Sequence, residues 1–143
     1  MTPPIPPFSI FSAVSELFVT AGVLFVVHRN WNRRPFPFAL FLVVALFEAL
    51  VNVIYMANRS AAATAPGAHE VLSTGMKAMY AAHGLLSLVA YLVFVVLGTL
   101  AHQEARQGRW FFRDHPRLMW TFLVLWTISI GSGELIFVLR YLV

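Results

Sequence analysis

Four long apolar segments dominate this sequence and restrict the folds that it can adopt. Each holds about 20 or more mostly apolar residues, enough to cross a ~30 Å hydrocarbon core as a helix that rises ~1.5 Å per residue. Of the 143 residues, 59% are hydrophobic and 11% are charged, whereas soluble chains carry about 25% charged residues. We therefore predict one integral membrane domain over residues 1–143, an all-α four-helix transmembrane bundle with antiparallel up-down topology. The predicted spans cover about residues 8–28, 36–57, 76–101 and 118–142, with loops at 29–35, 58–75 and 102–117.

The distribution of basic residues predicts the orientation. Loops 29–35 and 102–117 hold seven of the ten Lys and Arg residues. The positive-inside rule places both loops in the cytoplasm, loop 58–75 in the periplasm and both termini outside. Because topology accounts for the net charge of +4, we expect a lipid bilayer and no nucleic acid as partner. The predicted location is the bacterial inner (cytoplasmic) membrane, crossed several times.

Two further features of the composition narrow the chemistry. The chain has no cysteine, which excludes disulfides, thiolate metal sites and cysteine-ligated iron–sulfur clusters. The second basic loop contains Trp110-Phe111-Phe112, a run typical of a segment that lies at the headgroup level.

Each predicted span carries an acidic residue or a histidine well away from its ends: Glu16, Glu48, His83 and Glu134. Such side chains are costly in a bilayer and mark a functional site by default. Counted at ~1.5 Å per residue, all four lie roughly 10–14 Å below the outer boundary. An antiparallel bundle would bring them into one layer.

Other polar residues recur at helical spacing and therefore share a face of each helix. We expect Asn52, Tyr55 and Tyr80 to support the site. The shared faces are Ser12, Glu16 and Thr20 in the first span, Ala45, Glu48, Asn52 and Tyr55 in the second, Tyr80, His83, Ser87 and Tyr91 in the third, and Thr127, Gly131 and Glu134 in the fourth. The polar stripe of the second span should face the bundle interior.

Several chemistries fit three carboxyl groups and one imidazole. Inward Glu and His side chains hold metal ions in helical bundles, here an iron, zinc or copper ion, with His69 or a partner protein completing the ligand set. A buried His83 can also be an axial haem ligand. The glutamates, extended by Asn52, Tyr55 and Tyr80, can alternatively handle protons or a quinone. Lastly, all four side chains can have a purely structural role, in which each hydrogen bond between helices stabilises the bundle by about 1 kcal/mol.

Residues 76–141 carry a family resemblance. His83-Gly84-Leu85-Leu86, the basic linker that ends in His115, and Trp126, Ser129 and Gly133 resemble a family of small bacterial membrane proteins linked to the assembly of haem-copper cytochrome oxidases. The resemblance implies a helical membrane bundle that handles metal or haem. In this chain, His83 and His115 are the residues to which it assigns that role. Histidines that the family has near its second span are absent here, and Glu48 and Glu134 depart from its pattern.

No enzyme motif is present: there is no Gly-x-Ser-x-Gly, phosphate loop or His-Glu-x-x-His. We therefore expect a non-enzymatic accessory or maturation factor of a respiratory electron-transfer complex, with other membrane subunits as partners. Its intramembrane metal or haem site would be formed by His83, Glu16, Glu48 and Glu134 and supported by His115 among others. One alternative is a small structural subunit of such a complex, whose carboxyl groups face a quinone or a partner. Another is a proton-linked carrier.

Overall fold

In the part of the chain that the structure describes, four long helices and one short helix form a bundle. The computed structural model describes the backbone of residues 5–64 and 73–142, and the side chains of these residues except 59–64. Each of the four long helices is long and apolar enough to cross a membrane, so the chain is a multi-pass membrane protein with an all-α fold. The helices are α1 (Pro7–Trp31), α2 (Phe38–Thr64), α3 (Thr74–Ala105), α4 (Phe111–Asp114) and α5 (Pro116–Tyr141).

Local sequence signals explain where the helices begin. Proline occupies the first turn of α1 at Pro7 and of α5 at Pro116, where its missing N–H costs no hydrogen bond. Ser73 caps α3, since its hydroxyl accepts a hydrogen bond from the backbone N–H of Met76 at 3.3 Å. Within each helix the backbone satisfies its own hydrogen bonds, as a bilayer core requires.

Contacts between the helices show that neighbours in the bundle run antiparallel. The hydroxyls of Ser9 and Tyr141 lie 3.3 Å apart, whereas Trp126 Nε1 donates to Thr20 Oγ1 at 3.1 Å, so residue numbers rise along α1 as they fall along α5. The order around the bundle is α1, α2, α3 and α5, because α1 and α3 each contact both α2 and α5. We call the end with Pro7 and Tyr141 the terminal end, and the end with the two arginine-rich connections the arginine end.

The half of the bundle toward the arginine end is a tightly packed apolar core. Phe94 is buried in it and lies between Phe41 and Trp126, with ring centroids 5.2 and 5.6 Å away. A Cβ atom on Gly98 would collide with the Phe41 ring, so glycine permits α2 and α3 to approach closely here. The outward faces of all four long helices carry large exposed hydrophobic side chains, as lipid contact requires.

The structure corrects one predicted loop boundary. Residues 58–64 continue α2 instead of beginning a loop, since their alanines favour helix. Residues 65–72 of the predicted loop, with the candidate ligand His69, lie outside the described residues. In the second basic loop, Phe111 and Phe112 are 5% and 1% exposed and pack into the core on α4.

A buried asparagine explains why the short helix α4 folds inward. Asn30 on α1 is fully buried, and its side-chain Oδ1 accepts a hydrogen bond from the backbone N–H of Phe112 at 2.9 Å. That N–H lies in the first turn of α4 and would otherwise be an unsatisfied donor in an apolar environment. Asn30 therefore ties the connection before α5 to the end of α1.

Candidate functional site

The half of the bundle toward the terminal end encloses a cavity of about 710 Å³, and all four ionisable span residues line it. Ligand pockets in proteins usually measure about 300–1,000 Å³. The predicted supporting residues Asn52, Tyr55 and Tyr80 line the cavity too, and so does Tyr91 at its inner end. The helix register thus brings the polar residues of all four spans together, as their common depth predicts.

Histidine 83 is held by hydroxyl groups of α5. Its Nδ1 lies 2.8 Å from Ser132 Oγ, and Ser132 Oγ can donate to the Ser129 carbonyl oxygen at 2.7 Å. A serine hydroxyl has one proton. If that proton goes to the Ser129 carbonyl oxygen, the imidazole donates from Nδ1; if it goes to Nδ1, the imidazole accepts there. In either tautomer Nδ1 is bonded to Ser132 and Nε2 is the second functional atom of the ring. The hydroxyl of Ser87, one turn along α3, lies 3.0 Å from that of Ser129 and extends the network.

Glycine 133 lets Glu16 and His83 approach the same point on α5. A Cβ atom there would lie 2.8 Å from His83 Cε1, 3.3 Å from His83 Nε2 and 3.3 Å from Glu16 Oε2. The carboxyl group from α1 and the free side of the imidazole from α3 therefore each lie close to bare backbone of α5. Any larger residue at position 133 would displace the imidazole.

The remaining carboxyl groups have contrasting partners. Glu48, which is 9% exposed, accepts a hydrogen bond from Asn52 Nδ2 at 2.9 Å on Oε1, and the same amide group donates to the Glu48 carbonyl oxygen at 2.8 Å. By contrast, Glu134 Oε1 is buried and has no hydrogen-bond partner among the described residues. A buried acceptor without a partner is costly, so Glu134 has hydrogen-bonding capacity that a ligand can use.

The acidic groups of the cavity have no basic counterpart apart from the imidazole. No Lys or Arg is among the described residues that line the cavity. Arg140 lies at the terminal end, where its guanidinium donates to the Tyr80 hydroxyl at 2.6 Å. The cavity is therefore rich in carboxylate oxygens and can accept several hydrogen bonds.

Of the three residues predicted to share a face of α5, Glu134 lines the cavity, whereas Thr127 and Gly131 are not among its described lining residues. Thr127 and Gly131 are exposed, and Thr127 Oγ1 donates back to the Leu123 carbonyl oxygen of its own helix at 2.8 Å. The interior face is formed instead by Trp126, Ser129, Ser132 and Gly133. The sequence alone does not single out Ser132, because a serine in an apolar helix can equally bond to a backbone carbonyl group of its own helix.

The arginine end holds three histidines that do not line the cavity: His28, His102 and His115. His115, predicted as a supporting residue, is exposed between α4 and α5, with its ring 4.9 Å from that of Phe111. His102 stacks on Phe38 with ring centroids 4.0 Å apart. The fold thus leaves His83 as the single imidazole among the described residues that line the cavity.

Neither a metal ion nor haem fits the cavity residues well. Among the described residues, no three His, Asp or Glu side chains are grouped closely enough to hold a metal ion, so the predicted set of His83, Glu16, Glu48 and Glu134 is not assembled as one coordination sphere. Haem brings two anionic propionates, which would face three carboxyl groups without a basic partner in the described lining. The lining also offers no second imidazole for an axial pair.

Comparisons with protein-family models, with curated proteins and with solved structures find no significant match to this chain.

Proposed function

We propose that this protein binds a small lipid-soluble molecule in its central cavity and serves as a non-enzymatic accessory factor of a respiratory electron-transfer complex. The observation that carries the binding proposal is the cavity itself, which combines about 710 Å³ of space with polar side chains from all four long helices. Tight packing would serve a purely structural role better, because empty space inside a bundle forfeits van der Waals contacts.

The polar side chains are arranged to hold a ligand in one orientation. Ser132 and Ser87 fix the imidazole of His83 from one side, which directs its other nitrogen toward the position that Glu16 also approaches. Asn52 fixes Glu48. Ligand sites are typically formed by a mostly apolar pocket with a few polar groups whose positions are set by such neighbours.

The respiratory assignment rests on the sequence of residues 76–141, which resembles the oxidase-assembly family. A quinone or quinol fits both the assignment and the cavity, because its two ring oxygens can bond to carboxyl and imidazole groups on facing helices. We place the protein in a bacterial inner membrane, with both termini outside, on the strength of the arginines in the connections at 29–35 and 102–117.

The test is chemical analysis of protein purified from native membranes. Wild type, His83→Ala and the control His102→Ala are each transferred to nanodiscs, extracted with organic solvent and examined by mass spectrometry, absorption spectroscopy and elemental metal analysis. We expect wild type and the control to retain a lipid-soluble molecule in near-stoichiometric amount, and His83→Ala to lose it. A Soret band or a stoichiometric metal that disappears in His83→Ala would overturn the proposal in favour of haem or metal binding.

The accessory role is tested by purification under mild conditions. A subunit or assembly factor should isolate together with respiratory subunits, and a fixed stoichiometry would mark it as a permanent subunit. Purification free of any respiratory subunit, in cells that express the complex, would contradict this part of the proposal.

A further inference from the structure

The cavity reaches the outer surface of the bundle along the seam between α2 and α3. Four of its lining residues are large apolar side chains that are more than half exposed: Val53 at 66%, Met56 at 61%, Leu85 at 66% and Leu88 at 54%. The first two lie on α2 and the other two on α3. We call the opening between these four residues the α2–α3 gap.

The other three seams are bridged at the depth of the cavity. Phe8 on α1 stacks on Tyr55 of α2, with ring centroids 6.3 Å apart. The hydroxyl network from Ser87 to Ser129 joins α3 to α5, and Glu16 reaches the backbone of α5 at Gly133. At the inner end of the α2–α3 seam, Tyr91 donates to the Ala45 carbonyl oxygen at 3.2 Å, and the cavity widens from there toward the terminal end.

The gap faces the part of the membrane that water does not reach. Val53 lies in the candidate membrane span Phe38–Asn58, and Leu85 and Leu88 lie in the candidate span Thr74–Ala105, so we assign their exposed side chains to contact with lipid tails. A molecule dissolved in the bilayer can enter between these two helices, and its apolar part can remain there. A strictly water-soluble ligand gains nothing from an apolar rim of this kind.

The polar interior sets the chemistry of the part that enters. Glu16, Glu48 and Glu134 supply acceptor oxygens, of which Glu134 Oε1 is buried without a partner among the described residues. No Lys or Arg among the described lining residues can neutralise an anion, and burying an uncompensated negative charge beside carboxyl groups is strongly unfavourable. A head group that donates hydrogen bonds, whether neutral or cationic, is favoured instead.

We infer that the α2–α3 gap is the entrance for an amphiphile from the bilayer, whose hydrogen-bond-donating, non-anionic head group enters the carboxyl-lined cavity while its apolar tail lies between Val53 and Met56 of α2 and Leu85 and Leu88 of α3. This inference rests on the proposed function and adds to it the route and the ligand class. Quinols and alkylamines share the head-group chemistry.

The class is tested with three probes of similar tail length in phosphatidylcholine nanodiscs: decylubiquinol, dodecylamine and dodecanoate. We expect saturable binding of the quinol or the amine, and binding of the anionic dodecanoate weaker by about tenfold or more. Equal binding of dodecanoate would overturn the head-group assignment. Absence of saturable binding by all three probes would overturn both this inference and the proposed function.

The route is tested with a matched pair of glycine variants. Gly84 lines the cavity on α3, Gly131 lies outside it on α5, and a Cβ atom at either meets no neighbour within 4 Å. We expect Gly84→Phe to slow binding of the active probe by about tenfold, and Gly131→Phe to leave the rate within about twofold of wild type. If the probe binds Gly84→Phe at the same rate as wild type, and still binds in the cavity, then the proposed route is wrong but the proposed function stands.

Photolabelling provides an independent measurement of where the tail lies. A dodecylamine or decylubiquinol analogue with a diazirine at the end of its tail should label peptides around Val53–Met56 and Leu85–Leu88. The label should disappear when an excess of the unlabelled probe is added. Displaceable labelling confined to α1 or α5 would overturn the assignment of the gap.

Discussion

Glu16 and His83 lie on helices that do not neighbour each other in the bundle, yet both reach the same point on the backbone of Gly133. Glu16 Oε2 and His83 Nε2 are each 3.3 Å from the position that a Cβ atom would take there. The close approach of a carboxyl group and an imidazole to the same backbone position inside the bundle therefore depends on the absence of one methyl group.

Gly133→Ala should displace the His83 imidazole. The added methyl group lies too close to His83 Cε1, at 2.8 Å, so the imidazole must move or α5 must shift, at a cost of about 1–3 kcal/mol. We expect a lower thermal unfolding midpoint in detergent and weaker ligand binding. Gly131→Ala is the matched control, because its Cβ atom meets nothing within 4 Å. Equal behaviour of the two variants would contradict the close approach of His83 to Gly133.

The pairing of α3 with α5 can be tested by crosslinking, because the chain has no cysteine of its own. The hydroxyls of Ser87 and Ser129 lie 3.0 Å apart, so the variant Ser87→Cys/Ser129→Cys should form a disulfide under mild oxidation. The control Ser87→Cys/Thr127→Cys should not, since Thr127 is exposed on another face of α5. The measurement is the mobility shift on a non-reducing gel after cleavage of the chain between α3 and α5.

Composition and spacing predicted the four-helix bundle and the convergence of Glu16, Glu48, His83 and Glu134, because helix length and cost of burial are local properties of a sequence. They did not identify the inward face of α5. Its residues offer polar groups on two faces, Thr127 and Gly131 on one and Ser129 and Ser132 on the other, and only the packing of Trp126 and the bond partners across the bundle decide between them.

At the arginine end, too, a contact between distant residues decides the packing. An aromatic run beside arginines is typical of the membrane interface, but such a run does not predict that Phe111 and Phe112 are buried inside the bundle. Their burial depends on Asn30, which is 82 residues away from Phe112 and supplies the acceptor for its N–H. Long-range hydrogen bonds of this kind have no periodic signature in the sequence.

Asn30→Leu should destabilise the bundle from the arginine end. The backbone N–H of Phe112 would lose its acceptor while it stays buried, at a cost of about 1–3 kcal/mol. We expect a lower unfolding midpoint and faster proteolysis at the connection between α3 and α5. Asn32→Leu is the control, because Asn32 is exposed and bonds only with His28 among the described residues. An Asn30→Leu protein as stable as the Asn32→Leu control would contradict the role given to Asn30.

The orientation can be measured in cells with single cysteines. The proposed topology places Gln107 in the cytoplasm and Ser73 outside, and both residues are exposed. A membrane-impermeant maleimide should therefore label Ser73→Cys in intact cells, and label Gln107→Cys only after the membrane is opened. The reverse pattern would show that the bundle is inserted the other way round.

The most direct test of the central claim is a binding titration of the variant Glu16→Gln/Glu48→Gln/Glu134→Gln, which keeps the shape of the cavity and removes its three carboxyl groups. The control is Glu104→Gln, outside the cavity, where Glu104 lies 3.6 Å from Arg109 near the arginine end. With decylubiquinol and dodecylamine as probes, we predict that wild type and the control bind alike, and that the triple variant binds the active probe weaker by about a hundredfold or more. A triple variant that binds as wild type does would contradict the claim that the carboxyl-lined cavity is the ligand site.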